Sequence, residues 1–181
     1  MLPQSFTERM QGLLGSEYEE FLASFEHEKY QALRLNPLKK DDMSVITEKV
    51  KQTFQLQQVP WAKNGYYYTK EDQPGKHPWH EAGLYYIQEP SAMAPVTLLS
   101  PRPGERILDL CAAPGGKSTQ IASAMEGEGL LVTNEIHPAR AKILSENVER
   151  MGIRNACVLN ETPEHLADIF EEYFDRILVD A

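Results

Sequence analysis

The sequence predicts an α/β protein in which a mainly parallel, doubly wound sheet of about four strands follows a small, mainly α-helical region. After residue 101, apolar runs typical of strands alternate with helical patterns, and this alternation is typical of a parallel sheet. Residues 1–100 contain short amphipathic helices, one strand and a turn-rich stretch. We therefore place a domain boundary near residue 100, between an α+β accessory domain (1–100) and a sheet domain (101–181).

The N-terminal region contains start and stop signals typical of short helices and strands. Ser16-Glu-Tyr-Glu19 is a capping-box pattern that opens a helix, and Pro37 ends an alternating, strand-like run. The stretch 61–86 is rich in aromatic and turn residues and stays unassigned. The predicted elements are two helices, one strand and a third helix, at residues 3–15, 16–27, 32–36 and from Ser44 onward.

The C-terminal region follows a regular pattern. Gly152 is typical of the residue after a helix, and Pro163 is typical of a first helical position. The predicted helices cover residues 117–125, 138–151 and a segment that begins at Thr162-Pro163. The predicted strands cover residues 106–111, 130–134, 156–159 and 176–180.

Composition is that of an ordinary globular protein, with 41% hydrophobic and 25% charged residues. The net charge is -9, whereas proteins that bind nucleic acid usually carry an excess of basic residues. Two cysteines argue against a disulfide framework and fit a reducing cytoplasm, and no apolar run is long enough to predict a membrane span. Because the chain ends at Ala181 directly after a strand, we expect it to be part of a longer protein.

The most informative segment is Arg106-Ile-Leu-Asp-Leu-Cys-Ala-Ala-Pro-Gly-Gly-Lys117. An apolar strand stops at two adjacent glycines, and a helix follows. Glycines let a backbone approach a ligand closely, and the start of a helix offers free N–H groups with partial positive charge. The segment therefore favours a nucleotide-like ligand.

Acidic residues stand at the predicted carboxyl ends of strands, where ligand sites form in such sheets. Glu135 follows the glycine turn by about 20 residues, the spacing at which this architecture places a carboxylate on ribose hydroxyls. Asp180 follows the fourth strand. Asp109 precedes the glycine turn, and its carboxylate could accept from turn N–H groups or contact the ligand.

Two nucleotide-binding motifs are excluded by the residues themselves. Gly116-Lys117-Ser118 resembles the end of a P-loop, but position 111 carries cysteine where that motif needs glycine. A Gly-x-Gly-x-x-Gly dinucleotide fingerprint is also missing from the sequence. A cofactor with a single nucleoside remains, and S-adenosylmethionine is the candidate.

The run Cys111-Ala-Ala-Pro-Gly-Gly-Lys117 resembles the cofactor loop of the Sun-type RNA (cytosine-5) methyltransferases, also called the NSUN family. Gly83–Met93 is similar to the segment before that loop, and Leu178–Ala181 is similar to the strand that leads into the family's Asp-Ala-Pro-Cys motif. The N-terminal helices and Leu33–Pro37 are more loosely similar to the accessory region of bacterial ribosomal RNA members.

The resemblance implies a Rossmann-like class I methyltransferase domain that transfers a methyl group to C5 of cytosine in RNA, with ribosomal RNA as the expected partner. One family cysteine attacks C6 of the base and a second assists release. The resemblance implies that both of these cysteines lie beyond Ala181, so that this chain alone is inactive. We expect Cys157 to be a core residue. The residues implied for cofactor binding are Cys111, Ala112, Ala113, Pro114, Gly115, Gly116, Lys117, Glu135, Thr162 and Asp180.

Thr162 stands where many family members carry aspartate, so the implied adenine contact differs in this chain. Two other hypotheses stay open: a methyltransferase with an Asp-Pro-Pro-Tyr-like site acting on nitrogen, and an RNA-binding or assembly protein in which the cofactor fold is only a scaffold. His77 and His80 form too small a ligand set to predict a metal. Aromatic residues between 61 and 86 could stack on RNA bases, and phosphate contacts could come from Lys39, Lys40, Lys63, Lys70 and Lys76.

Overall fold

The structure is a computed structural model that describes residues 2–27, 29–39 and 43–180. Contacts divide the chain into two compact units, one ending at Tyr30 and one beginning at Gln31. The second unit contains both β-sheets. The domain boundary that the sequence suggests near residue 100 stays a prediction.

The first unit is a pair of short helices, α1 (Gln4–Leu14) and α2 (Tyr18–Ser24), joined by a 3₁₀ turn. The rings of Phe6 and Phe21 lie 6.2 Å apart and join the helices. The predicted helices are confirmed, but the capping box is wrong: Ser16 lies inside the 3₁₀ turn, and no side chain caps α2. No residue of these three elements is buried.

The second unit begins with a four-stranded antiparallel sheet of order β2-β3-β1-β4. Its strands are β1 (Gln31–Leu35), β2 (Gln57–Gln58), β3 (Gly65–Tyr68) and β4 (Tyr85–Ile87). Three helices accompany it, and they are α3 (Met43–Thr53), α4 (Pro78–Glu81) and α5 (Ala94–Leu99).

Apolar side chains from β1, β4 and α3 form the core of this sheet. Leu33, Val50 and Tyr85 are fully buried, and the Phe54 ring meets the Tyr85 ring edge-on at 5.8 Å. The sequence predicted β1 and α3 but left β3 and β4 within its unassigned aromatic stretch. Helix α3 begins at Met43, one residue before the predicted cap, and the side chain of Ser44 is outside the described residues.

A four-stranded parallel sheet of order β7-β6-β5-β8 follows and confirms the predicted α/β class. The chain passes from β5 to β6 and β7, and then returns to place β8 on the other side of β5. Its strands are β5 (Arg106–Asp109), β6 (Leu130–Asn134), β7 (Ala156–Leu159) and β8 (Arg176–Leu178). Its helices are α6 (Gly116–Ala124), α7 (Pro138–Arg150) and α8 (Pro163–Ile169).

The core of this sheet lies between its strands and α6. Ile107, Leu131, Ile121 and Met125 are fully buried there and belong to one cluster. A fully buried aliphatic side chain stabilises a fold by about 1.5–3 kcal/mol, so the cluster fixes α6 against the sheet. Among the described residues, no helix is long and apolar enough to cross a membrane.

The expectation of a buried Cys157 is wrong, since the residue is exposed. Among the strands of the described ranges, β7 is at the edge of the sheet and pairs with β6 alone. Ala156 and Val158 pack partly against apolar clusters. Side chains alternate between the two faces of a strand, so Cys157 points away from those clusters.

Candidate functional site

A cavity of about 750 Å³ opens where β5 and β6 end. The cavity lies beside β5, which has β6 on one side and β8 on the other. Parallel α/β sheets bind ligands at such a point, where the strand order reverses. Its volume suits a ligand of nucleoside size. The cavity is lined by residues 86–89, Ala92, residues 110–114, Gly116, Lys117, residues 134–137, Arg140, Pro163 and Asp180.

The glycine loop, residues 110–116 between β5 and the first turn of α6, ends in two glycines beside which a Cβ would be crowded. Gly115 has a φ of +114° and precedes α6, and a Cβ there would lie 3.1 Å from Cδ1 of Leu144. At Gly116 a Cβ would lie 3.3 Å from Cε1 of Tyr86. The first residue thus permits a left-handed turn, and the second leaves space beside a cavity wall.

Glu135 presents a buried carboxylate to the cavity, with its side chain only 3% exposed. One oxygen accepts a hydrogen bond from the backbone N–H of His137 at 3.0 Å. The other lies 3.2 Å from Nη1 of Arg140. Arg140 also donates from Nη2 to the carbonyl of Ala113 at 2.8 Å, so one guanidinium joins the acid after β6 to the glycine loop.

Lys117 and Asp180 form an ion pair at the cavity, between the start of α6 and the end of β8. The side chain of Lys117 is 21% exposed and that of Asp180 is 50% exposed. The pair therefore places one positive and one negative group within reach of a polar ligand.

Asp109 does not line the cavity. Its buried carboxylate accepts from the Ser118 hydroxyl at 2.6 Å, and that hydroxyl lies 2.6 Å from the Thr133 hydroxyl. Its other oxygen has no hydrogen-bond partner among the residues that the structure describes. Burial raises the pKa of Asp109 to about 6. The sequence left two roles open for Asp109, to accept from turn N–H groups or to contact the ligand, but its carboxylate instead accepts from a side chain of α6.

The structure brings most of the sequence-predicted cofactor residues together. Those that line the cavity are Cys111, Ala112, Ala113, Pro114, Gly116, Lys117, Glu135 and Asp180. Gly115 does not line the cavity, but its positive φ turns the chain into α6. Thr162 does not line the cavity either: its hydroxyl caps α8 by accepting from the backbone N–H of His165 at 3.3 Å, and its neighbour Pro163 reaches the cavity.

Several contributors to the cavity were missed from the sequence, among them Arg140, Asn134 and the segment that contains residues 86–89 and Ala92. Asn134 accepts from the N–H of Glu161 and donates to the carbonyls of Leu110 and Glu161. Arg140 stands in the first turn of α7. The sequence signal that could have indicated it is a cationic residue soon after Glu135 in the chain. The segment 86–92 precedes the parallel sheet, so local periodicity gave no reason to place it there.

Of the other residues singled out in the sequence, Tyr86 lines the cavity, whereas His77 and His80 do not. His77 Nδ1 accepts from the backbone N–H of Trp79 and caps α4, while His80 faces Glu81. The described ranges contain no group of three or more histidine, cysteine or acidic residues able to hold a metal. Trp61 donates to the carbonyl of Pro90 at 2.8 Å, and Lys40 is outside the described residues.

The fold and site define the class: a parallel α/β domain with a glycine loop, a helix start and a buried acid around one cavity, as in Rossmann-like methyltransferase domains. Solved structures agree. The chain matches a methyltransferase homolog protein from Pyrococcus horikoshii with a TM-score of 0.84 and 31% identity, over 99% of this chain and 59% of that one. It matches the fold of NSun6 from Pyrococcus horikoshii with a TM-score of 0.83, at 18% identity, over 99% of this chain and 70% of that one.

Family models narrow the class. One, described as the N-terminal domain of 16S rRNA methyltransferase RsmF, matches residues 2–90. A second, described as 16S rRNA methyltransferase RsmB/F, matches residues 96–181. The chain belongs to this RsmB/F family, which confirms the Sun-type resemblance.

Curated relatives give the same result. Ribosomal RNA small subunit methyltransferase F of Vibrio campbellii is 35% identical over 99% of this chain. The protein of the same description from Aeromonas hydrophila is also 35% identical over 99% of this chain. The chain spans 39% and 40% of the lengths of these two relatives.

Proposed function

We propose that this chain forms the cofactor-binding part of an enzyme that transfers a methyl group from S-adenosylmethionine to C5 of cytosine in ribosomal RNA. The observation that carries the proposal is the glycine loop and the buried Glu135 carboxylate facing one cavity at the ends of β5 and β6. The descriptions of its relatives, which name ribosomal RNA of the small subunit, support the substrate class.

The residues around the cavity fit this cofactor. Gly116 has no side chain where a Cβ would meet Tyr86, and a buried carboxylate such as that of Glu135 can accept from two neighbouring ribose hydroxyls. Lys117 and Asp180 offer opposite charges suited to the amino-acid end of the molecule. When bound, S-adenosylmethionine would supply an activated methyl group on sulfur.

The residues of this chain bind and orient rather than attack the base. Burial raises the pKa of the Cys111 thiol, and the carboxylates of Asp109 and Glu135 raise it further. The protonated thiol is a poor nucleophile. Cys157 is exposed on edge strand β7 and is not among the residues lining the cavity. We therefore expect these 181 residues alone to bind cofactor without methylating cytosine.

Isothermal titration calorimetry with S-adenosylmethionine tests the proposal. We expect the unchanged chain to bind, and Glu135→Ala to weaken affinity by about tenfold or more, because hydrogen bonds to a charged acceptor contribute about 1.5–3 kcal/mol. Glu149→Ala is the matched control, since Glu149 is exposed on α7.

Two results would count against the proposal. Equal effects of the two substitutions would remove the ribose assignment of Glu135. A well-folded chain that gives no heat of binding would refute cofactor binding itself, and retention of 16S ribosomal RNA on a filter without cofactor affinity would then favour the scaffold hypothesis.

A further inference from the structure

The buried side chain of Arg34 extends from the antiparallel sheet to the glycine loop. It stands in β1 and is only 2% exposed. Its Nη1 donates to the carbonyl of Gly116 at 2.8 Å, and its Nη2 donates to the hydroxyl of Thr119 at 2.6 Å. These two acceptors belong to the first turn of α6. One guanidinium therefore fixes the start of that helix from a strand 82 residues earlier.

Arg34 also holds one side chain of the cavity wall. Its Nη1 donates to Oε1 of Gln88 at 2.6 Å, and its guanidinium lies 5.8 Å from the centre of the Tyr86 ring. Gln88 in turn donates to the carbonyl of Ala92 at 3.0 Å. Gly116, Gln88, Tyr86 and Ala92 all line the cavity, whereas Arg34 does not.

Arg34 is a buried cation without a paired carboxylate in the described part of the chain, which is unusual for a residue whose role is only packing. No ion pair joins it to a carboxylate in the described part of the chain, and its Nε has no hydrogen-bond partner. Burial lowers the pKa of Arg34 to about 9, which leaves the group charged near neutral pH. A buried charge without a counter-charge is costly, so its hydrogen bonds to neutral acceptors must offset that cost.

We propose that Arg34 is a positioning residue for the cofactor cavity: it sets the geometry of Gly116 and Gln88, and through them the affinity for cofactor, without touching the cofactor. The identity of that cofactor rests on the proposed function. The geometry of the loop does not depend on it. A rigid, pre-formed loop binds its ligand more tightly because less ordering remains to be done on binding.

Arg34→Met is the test variant, because methionine keeps an unbranched apolar stem and removes every donor. Asn36→Ala is its matched control. Asn36 follows β1, is fully buried, and donates to the carbonyls of Gly83 and Met151, which do not line the cavity. Both changes remove buried hydrogen bonds, but only the first removes bonds to the loop.

Calorimetry with S-adenosylmethionine, at a temperature where circular dichroism shows both variants folded, gives the first readout. We expect Arg34→Met to weaken affinity by about tenfold or more and Asn36→Ala to change it by less than about twofold. Arg34→Lys, with a shorter reach and a single charged end, should fall between. Equal losses in Arg34→Met and Asn36→Ala would reduce Arg34 to a structural contact and overturn the proposal.

Amide hydrogen exchange, measured without cofactor, gives the second readout. We expect faster exchange at residues 116–120 in Arg34→Met and unchanged exchange there in Asn36→Ala. If the unchanged chain does not bind S-adenosylmethionine, the proposed function fails, and exchange alone decides the role of Arg34. Faster exchange confined to residues 116–120 then supports that role, and unchanged exchange overturns it.

Discussion

Asp109 has an environment that differs from what its position in the sequence suggests. It ends β5, directly before the glycine loop, yet the residue is 1% exposed and its carboxylate accepts from Ser118 rather than from the loop. Burial disfavours the charged form and raises its pKa to about 6. A group of this kind makes stability depend on pH in a direction that can be worked out.

The folded pKa of Asp109, about 6, is above the ordinary value of 3.8, so the folded state holds a proton that the unfolded state has lost between these values. Stability attributable to Asp109 therefore falls as pH rises from about 4 to 6 and is level above that range, by on the order of 2–3 kcal/mol in total. We expect Asp109→Asn to remove this slope in urea unfolding measured across that range.

Asp168→Asn, at an exposed position of α8, serves as the control for this pH series. The difference between unchanged protein and control should show no comparable trend. A profile of Asp109→Asn that runs parallel to that of the unchanged protein from pH 4 to 6 would show that Asp109 is not the titrating group.

Among the elements, β8 is joined to the chain before β5 by a two-pronged ion pair. Arg176 contacts Glu105 from Nε at 2.8 Å and from Nη2 at 2.9 Å, and its Nη1 donates to the carbonyl of Leu99. Both side chains are less than a third exposed. Paired hydrogen bonds of this geometry are stronger than a single surface contact.

We expect Glu105→Gln to destabilise the fold by about 1–3 kcal/mol, because a charged acceptor of two hydrogen bonds is lost while Arg176 stays partly buried. Chemical unfolding at neutral pH measures the change. Glu48→Gln is the control: its ion pair with Lys51 spans 3.4 Å at the surface, where such pairs contribute about 0–1 kcal/mol. A loss at Glu105 no larger than that at Glu48 would contradict the prediction.

Elements with a strong local pattern were predictable, and those defined by distant pairing were not. Strands β6 and β7 were predicted with the bounds observed, since each is an apolar run between turn residues. Strand β2 has two residues and β3 reads Gly-Tyr-Tyr-Tyr, so neither carries alternation. Their strand form depends on pairing with each other and with β1. Cys157 failed for a related reason, because strand order decides which strand is at the edge.

At the scale of the whole molecule, the buried apolar clusters have their members from Ala32 onward. Helices α1 and α2 contribute no buried residue. We expect a chain lacking residues 1–29 to keep its thermal midpoint within about 5 °C of the unchanged protein, since little apolar burial is lost. Differential scanning calorimetry checks this, and a broadened or absent transition would refute it.

The same scale explains how much of the site could be predicted. Motif and spacing identified the glycine loop, Glu135 and Asp180, because all of these follow parallel strands and strand ends converge at one edge. Spacing could not supply Arg140, whose role depends on how α7 turns back toward Ala113. Nor could it supply Arg34, since a strand residue becomes part of the loop's support only through tertiary packing.

The mixed origin of the cavity bears on how such proteins can be recombined. One wall comes from residues 86–89 and Ala92, in and after β4, and the floor comes from residues 110–114, Gly116 and Lys117, which follow β5. A genetic crossover near residue 100 would join the wall and Arg34 of one parent to the floor of another. Because the effects of substitutions at contacting residues are coupled, we expect such a hybrid to keep its cavity only where wall, floor and Arg34 still fit one another.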